Sequence, residues 1–351
     1  MPSAAFITGD FTLREDGPPL PNGCAWIRMV LPSRAIQKYG WDTGVGLPRV
    51  NPDKGIGIAH EDGVLVGWDV SVFKLMMHET VPALFRKMQE DGARIIVDVD
   101  DAHFALHEEN VAYHATNPHN NPESNRMYYE TGIRQADTVI VATEFLYEHY
   151  DKRCRDVRLI RNALDTDRFT PAVHTENAAI GWVGATYWRS GDLEILSEWL
   201  PDFVKDHGSK VVHAGHIPGD GRHFGTRVGL KRVQTYPMQP IEQYPSMFSP
   251  IQIGLVPLNL VPFSEAKSYL KGLEYAASGI PFIASPTYEY RLLAKEGIGR
   301  IASTPDEWRD HATELLDPDV RQAEADRQRA LVQARYDIST KGEAWSTALA
   351  G

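Results

Sequence analysis

Residues 263–285 read FSEAKSYLKGLEYAASGIPFIAS. The order of residue types predicts a polar helix start, an amphipathic helix, a Gly-Ile-Pro turn and a buried strand. Lys267, Lys271 and Glu274 recur at spacings of four and three, which sets them on one helical face. Leu270, Leu273 and Ala277 stand opposite and can pack on a sheet. Two cations and a carboxylate near a helix N-terminus suit a nucleotide, with ammonium and N–H groups for phosphate and the carboxylate for ribose hydroxyls. The same pattern also describes a solvated helix face with one Lys–Glu pair. The stretch alone leaves both readings open.

Two further segments lie upstream. LIRNALDTDRFTP, Leu159 to Pro171, carries Asn162, Asp165 and Phe169 in an Asn-x-x-Asp-x-x-x-Phe pattern, and AAIGWVGATYWRSGDL, Ala178 to Leu193, reads as a strand followed by a glycine turn. In order and spacing the three segments resemble the GT-B glycosyltransferases, in particular the large retaining family four, over most of the chain from about residue 135. The resemblance implies an α/β chain of two doubly wound Rossmann-like domains facing a central cleft. It divides the chain into an acceptor-side domain over 1–172, a nucleotide-sugar-binding domain over 173–335, and a last helix, 336–351, crossing back to the first.

It also implies roles. Glu274 would take the ribose hydroxyls, and Lys267 and Lys271 the diphosphate or the donor sugar. Ser268 would cap the helix, with Ser264 as the rival cap. Gly184 would let backbone approach phosphate, Asp192 would cap the next helix, and Tyr236, within 232–237, could stack on the base. The chain departs from the family at three places: Ala266 where the first glutamate is usual, and Ala185 and Ser190 where Arg and Lys are usual. Arg189, one position off, is expected to share the diphosphate with the two lysines.

Strand–helix alternation continues through the first half. Strands are predicted over 4–8, 64–68, 94–99 and 138–141, and a helix over 71–89 from the spacing of Phe73, Met76, Met77, Val81, Leu84, Phe85 and Met88. In the second half strands are predicted over 180–183, 211–213, 251–256 and 282–284. Apolar strands alternating with helices imply parallel sheets covered on both faces, which bind ligands at their carboxyl ends. One such end is DVDDAHF, Asp98 to Phe104, from which Asp100, Asp101 and His103 are predicted to point into the cleft as catalytic or acceptor-orienting groups. Arg28, after a glycine turn, could reach phosphate. A metal held by Asp98 and Asp100 would belong to a different, single-nucleotide-domain fold, and His213, His216 and His223 lack a fourth ligand, so no metal site is expected. The polar loop 106–124 is a candidate acceptor cover, and Tyr336, Ile338, Trp345 and Leu349 of the tail read as core.

Composition sets outer limits. A chain of 351 residues exceeds one core, and 42% hydrophobic with 24% charged residues excludes disorder. The net charge of −11 argues against salt-dependent nucleic-acid binding by the whole surface, and the basic cluster 152–161 reads as a solvated helix end. Cys24 and Cys154 are far apart, no run approaches a membrane span, and no signal peptide is evident, so a cytoplasmic protein is expected. The resulting expectation is transfer of a sugar from a nucleoside diphosphate, UDP or GDP, to a hydroxyl on a glycan, a protein or modified DNA. It involves retention and no cofactor besides the donor. A nucleotide-sugar epimerase and a non-catalytic nucleotide-sugar or glycan binder are the alternatives. A looser similarity to bacteriophage glycosyltransferases rests on the Asp-rich strand end and short first domain.

Overall fold

The computed structural model describes residues 1–186, 191–216 and 223–351. It divides into two compact units, one comprising 1–106, 112–163 and 338–351, the other 107–111 and 164–337.

Six parallel strands build the first unit: β1 (Ser3–Thr8), β2 (Asp42–Gly46), β3 (Val70–Lys74), β4 (Arg94–Val99), β5 (Thr138–Val141) and β6 (Val157–Leu159), in spatial order β6-β5-β4-β3-β1-β2. β1, β3, β4 and β5 are buried almost along their whole length, as parallel strands covered on both faces must be. The sequence assigns residues 71–74 to a helix, and the structure corrects this. Val-Ser-Val-Phe-Lys is a strand buried on both faces, which shows no period of two, and the helix begins only at Val81, where Pro82 occupies its first turn. Residues 64 and 65, expected within a sheet strand over 64–68, instead belong to a three-stranded antiparallel insert, Pro48–Asn51, Gly55–His60 and Gly63–Leu65. Ile58 of the insert packs where side chains on Gly44 and Gly46 of β2 would stand. The helices are α1 (Leu31–Gln37), α2 (Val81–Glu90), α3 (Arg126–Gln135) and α4 (Glu144–Tyr150). Asn125 and Thr143 cap α3 and α4 by accepting the N–H groups of Met127 and Leu146.

The second unit repeats the plan with β7 (Ala179–Val183), β8 (Lys210–Gly215), β9 (Gln234–Pro237), β10 (Ile253–Val256), β11 (Phe282–Ala284) and β12 (Arg300–Ile301), in order β9-β8-β7-β10-β11-β12. Its helices include α5 (Leu200–His207), α6 (Leu270–Ala277), α7 (Tyr288–Lys295), α8 (Pro305–Glu314) and α9 (Pro318–Arg335). Thr304 and Asp317 cap α8 and α9 directly before a proline, and Gly208 closes α5 in the left-handed conformation. The edge strands β9 and β12 escape the sequence reading because both are short and neither carries a buried residue.

The chain then returns: α10 (Gly342–Ala350) belongs to the first unit, where Trp345, Ala348 and Leu349 join Phe6, Met29 and Trp41 in its core. The strand order reverses between β1 and β3 in one unit and between β7 and β10 in the other, which opens a crevice at the carboxyl ends of those strands.

Candidate functional site

In the second unit the crevice is built around Tyr275. β7 and β10 pair at Ile180–Ile253 and Gly181–Gly254. The Tyr275 hydroxyl then accepts the Val183 N–H at 3.0 Å and donates to the Gly181 carbonyl at 3.2 Å. Burial pushes the phenol well above its ordinary pKa, so the proton it donates stays in place. Gly254 makes room, since a Cβ there would stand 2.7 Å from the Tyr275 ring. The ring thereby pins α6 to the sheet and sets the direction of its neighbour Glu274.

Glycines also shape the turn after β7. A Cβ on Gly184 would meet the Trp182 ring at 2.6 Å, and one on Gly215 would stand 1.9 Å from the Gly184 carbonyl oxygen. That oxygen lies 2.9 Å from Nε2 of His213, whose ring packs against both Trp182 and Phe224, themselves 5.6 Å apart. Burial lowers the His213 pKa, which favours the neutral ring. Among the described residues no group of three or more His, Cys, Asp or Glu is placed to hold a metal ion. Asp192 is no helix cap: Leu193 stands at the N-cap of Glu194–Ser197, and Asp192 Oδ1 accepts the Asn259 N–H at 2.8 Å. It ties the turn after β7 to the loop after β10.

On α6, Glu274 is buried at 4% exposure. Its Oε2 accepts from Lys271 Nζ at 2.6 Å and from the Tyr244 hydroxyl at 3.0 Å, and Lys271 Nζ also donates to the Tyr244 oxygen at 2.6 Å. The expected one-face row is only partly realised. α6 begins at Leu270, so Lys267 and Ser268 precede it, and Lys267 lies 4.3 Å from the centroid of the Phe263 ring. Neither serine is the cap expected. Tyr269 stands at the N-cap and its side chain makes no capping bond to the helix, and Ser264 is buried inside a separate turn, Pro262–Glu265. The cause is that the chain breaks after Ala266, where the pattern of the sequence runs on unbroken.

Arg189 lies outside the described residues. Tyr236 is half-buried on edge strand β9, its hydroxyl bonded by the Gln234 amide. Arg227 was missed. Its guanidinium clasps Glu194 with two bonds, at 2.7 and 2.6 Å, and donates to the Thr186 carbonyl, so a cation braces the turn after β7. Nothing in the sequence near Arg227 marks it.

In the first unit Arg28 contradicts its expected reach toward phosphate. It is 1% exposed, donates from Nε to both oxygens of Asp98 at 3.1 Å and from Nη2 at 2.5 Å, and from Nη1 to the Ile160 carbonyl and Asn162 Oδ1. Its guanidinium also lies 5.1 Å from the centroid of the Trp345 ring. Arg28 is a structural clasp, joining the end of β4, the Asn162 segment and α10. Next to it, Lys74, a residue the sequence reading never flagged, is fully buried at the end of β3 and paired with the predicted Asp100. Burial alone would push the Asp100 carboxyl up, but the Lys74 ammonium outweighs it and holds the group down to about 2. Reciprocally, burial opposes the Lys74 charge and Asp100 more than restores it, so its pKa is raised. The His103 ring sits edge-on to Tyr129 at 5.6 Å, and Asp101 is half-buried beside Asp100. The signal for Lys74 was a charged residue ending an otherwise apolar run.

No protein-family model matches the chain, and no curated protein matches it in sequence. Among solved structures, sucrose-phosphate synthase from Thermosynechococcus elongatus superposes with a TM-score of 0.66 at 15% identity, and Anabaena HepE in complex with UDP with 0.64 at 12%, each covering 100% of both chains. AviGT4, a glycosyltransferase involved in avilamycin A biosynthesis, gives 0.59 at 13% over 100% of this chain and 97% of its own. At these identities the likeness establishes the fold, which is that of the GT-B glycosyltransferases.

Proposed function

We propose that this chain is a glycosyltransferase moving a sugar from a nucleoside diphosphate to a hydroxyl acceptor, with retention as in family four. The observation that carries the proposal is the buried Glu274 carboxylate, held by Lys271 and Tyr244 on the helix that follows the crevice strand β10. A carboxylate desolvated in that place has few uses besides accepting hydroxyl donors, and a ribose diol supplies them. Structures of the same fold bound to UDP and to UDP-glucose, both of HepE, support a uridine donor.

In this reading Lys271 and Lys267 offset the charge that develops on the departing diphosphate, the Gly184 turn brings backbone to phosphate, and Tyr236 lies beside the base. Arg189 adds a further cation. Asp100, with Asp101 and His103, orients the acceptor hydroxyl from the strand ends of the first unit. The donor is the one co-substrate required, and no metal is assigned. Among the described residues no helix is long and apolar enough to cross a membrane. A cytoplasmic enzyme and a bacteriophage-type acceptor, including modified DNA, remain part of the proposal.

Thermal shift with a panel of UDP and GDP sugars tests it. A preferred donor at 100 times its Kd adds about 2.7 kcal/mol to stability, and Glu274→Ala should abolish that gain together with transfer or donor hydrolysis. Equal responses from wild type and Glu274→Ala would refute the assignment. The missing family cations at Ala185 and Ser190 favour, as a second reading, a binder without turnover. That reading predicts the same thermal shift with no release of UDP or GDP.

A further inference from the structure

We infer that Tyr244 is a specificity-determining residue, which makes the donor site read the ribose through one oxygen of Glu274. The inference rests on the donor-site reading above and deepens it.

Tyr244 comes from a different part of the chain, the 3₁₀ turn Tyr244–Phe248, and reaches α6 to close a triangle with Lys271 and Glu274. A phenol has one proton to give. Lys271 donates to the Tyr244 oxygen, so the Tyr244 proton goes to Glu274 Oε2, which also receives an ammonium proton. Oε2 is therefore held by two donors, and among the described residues no bond reaches Oε1. The support beneath is rigid. The Phe248 ring is fully buried, edge-on to Tyr244 at 5.7 Å and to Tyr275 at 5.3 Å, and lies 5.3 Å from Lys271 Nζ. The same aromatic stack thus fixes the triangle and the phenol that pins α6. Glu274 cannot turn its second oxygen to the sugar without breaking two bonds in a buried place. The geometry assigns Oε1 to a vicinal diol, and a ligand lacking the hydroxyl it takes forfeits a bond to a charged acceptor, a loss of about 1.5–3 kcal/mol, or about 10- to 150-fold.

Calorimetric titration of UDP, 2′-deoxy-UDP and 3′-deoxy-UDP, with the GDP series in parallel, tests the proposal on wild type, Tyr244→Phe and Glu274→Gln. Wild type should prefer the ribonucleotide by about tenfold or more over at least one deoxy analogue. Tyr244→Phe keeps the ring but loosens the carboxylate. It should weaken the ribonucleotide by about tenfold and leave the deoxy nucleotides within about twofold, so that discrimination collapses. Because the readout is a ratio within each variant, a modest loss of stability does not move it. Equal weakening of all ligands, or an unchanged ratio, overturns the role of Tyr244 while the donor site stands. Ribonucleotide binding that is indifferent to Glu274→Gln, or absent from wild type in both series, overturns the donor site and this inference together.

Discussion

Replacing Lys74 by methionine removes one partner of a charge pair that the fold has almost completely desolvated, with side-chain exposures of 0% for Lys74 and 12% for Asp100. Breaking a buried pair on one side costs about 3–5 kcal/mol, because the remaining charge has no water to return to. The two single variants should differ. Asp100→Asn strands an ammonium with no access to solvent and falls at the upper end of that range. Lys74→Met strands a carboxylate that keeps some exposure, still feels Arg28, and can take up a proton, so it costs about 3 kcal/mol. The double variant leaves a neutral, similarly shaped pair and should return to within about 1–2 kcal/mol of wild type, a coupling of at least about 2 kcal/mol. Urea unfolding at neutral pH measures all four proteins, with an unchanged m-value as the check that the transition exposes the same surface. Acid adds a second signature. The folded Asp100 pKa is depressed to about 2, so its contribution is present above the unfolded value, about 3.9, and is lost as pH falls through the window between them. Lys74 is shifted upward, so its contribution is complete at neutral pH and is lost only in strong alkali. Wild type should lose stability between about pH 4 and pH 2 more steeply than the double variant. Additive single effects, or matching acid profiles, would refute the claim that the pair is coupled and charged in the folded state.

Gly254→Ala drives a methyl to 2.7 Å from the Tyr275 ring, which should cost about 1–3 kcal/mol by overpacking and, by tilting α6, weaken UDP binding more than it lowers Tm. Arg28→Lys keeps the charge but loses the fork that reaches Asp98, Ile160 and Asn162 together. Thermal unfolding should show destabilisation of about 3 kcal/mol or more, with donor affinity unchanged, since the clasp lies in the other unit. Arg155→Glu, in the basic cluster and 82% exposed, should stay within about 0.5 kcal/mol of wild type in urea.

What could be seen in the sequence follows from the range of the forces involved. Buried strands and capped helices are decided by neighbours in the chain. Val-Ile-Val at 139–141 therefore announces its strand locally, and the doubly wound plan was legible from the alternation of such strands with helices. The strand at 70–74 shows the limit: burial on both faces erases the alternation that would mark it, and the helix behind it supplied a misleading period. The candidate site is made of a different kind of contact. Glu274 was found because its partner Lys271 lies one turn away, but its other partner, Tyr244, is 30 residues distant. Arg28 and Asp98 are 70 residues apart, and Lys74 and Asp100 are 26. A charge inside a parallel sheet is tolerable only beside an opposite charge, and which one it meets depends on strand order, a property no local pattern carries. In β3 and β4 the register sets Lys74 opposite Asp98, yet Arg28 takes Asp98 and leaves Lys74 to Asp100. Arg28 therefore decides indirectly how the Asp100 end of β4 is held. A residue expected to reach phosphate instead partitions the charges around the carboxylate proposed to orient the acceptor, so weakening Arg28 should disturb the Lys74–Asp100 pair before it disturbs anything in the second unit.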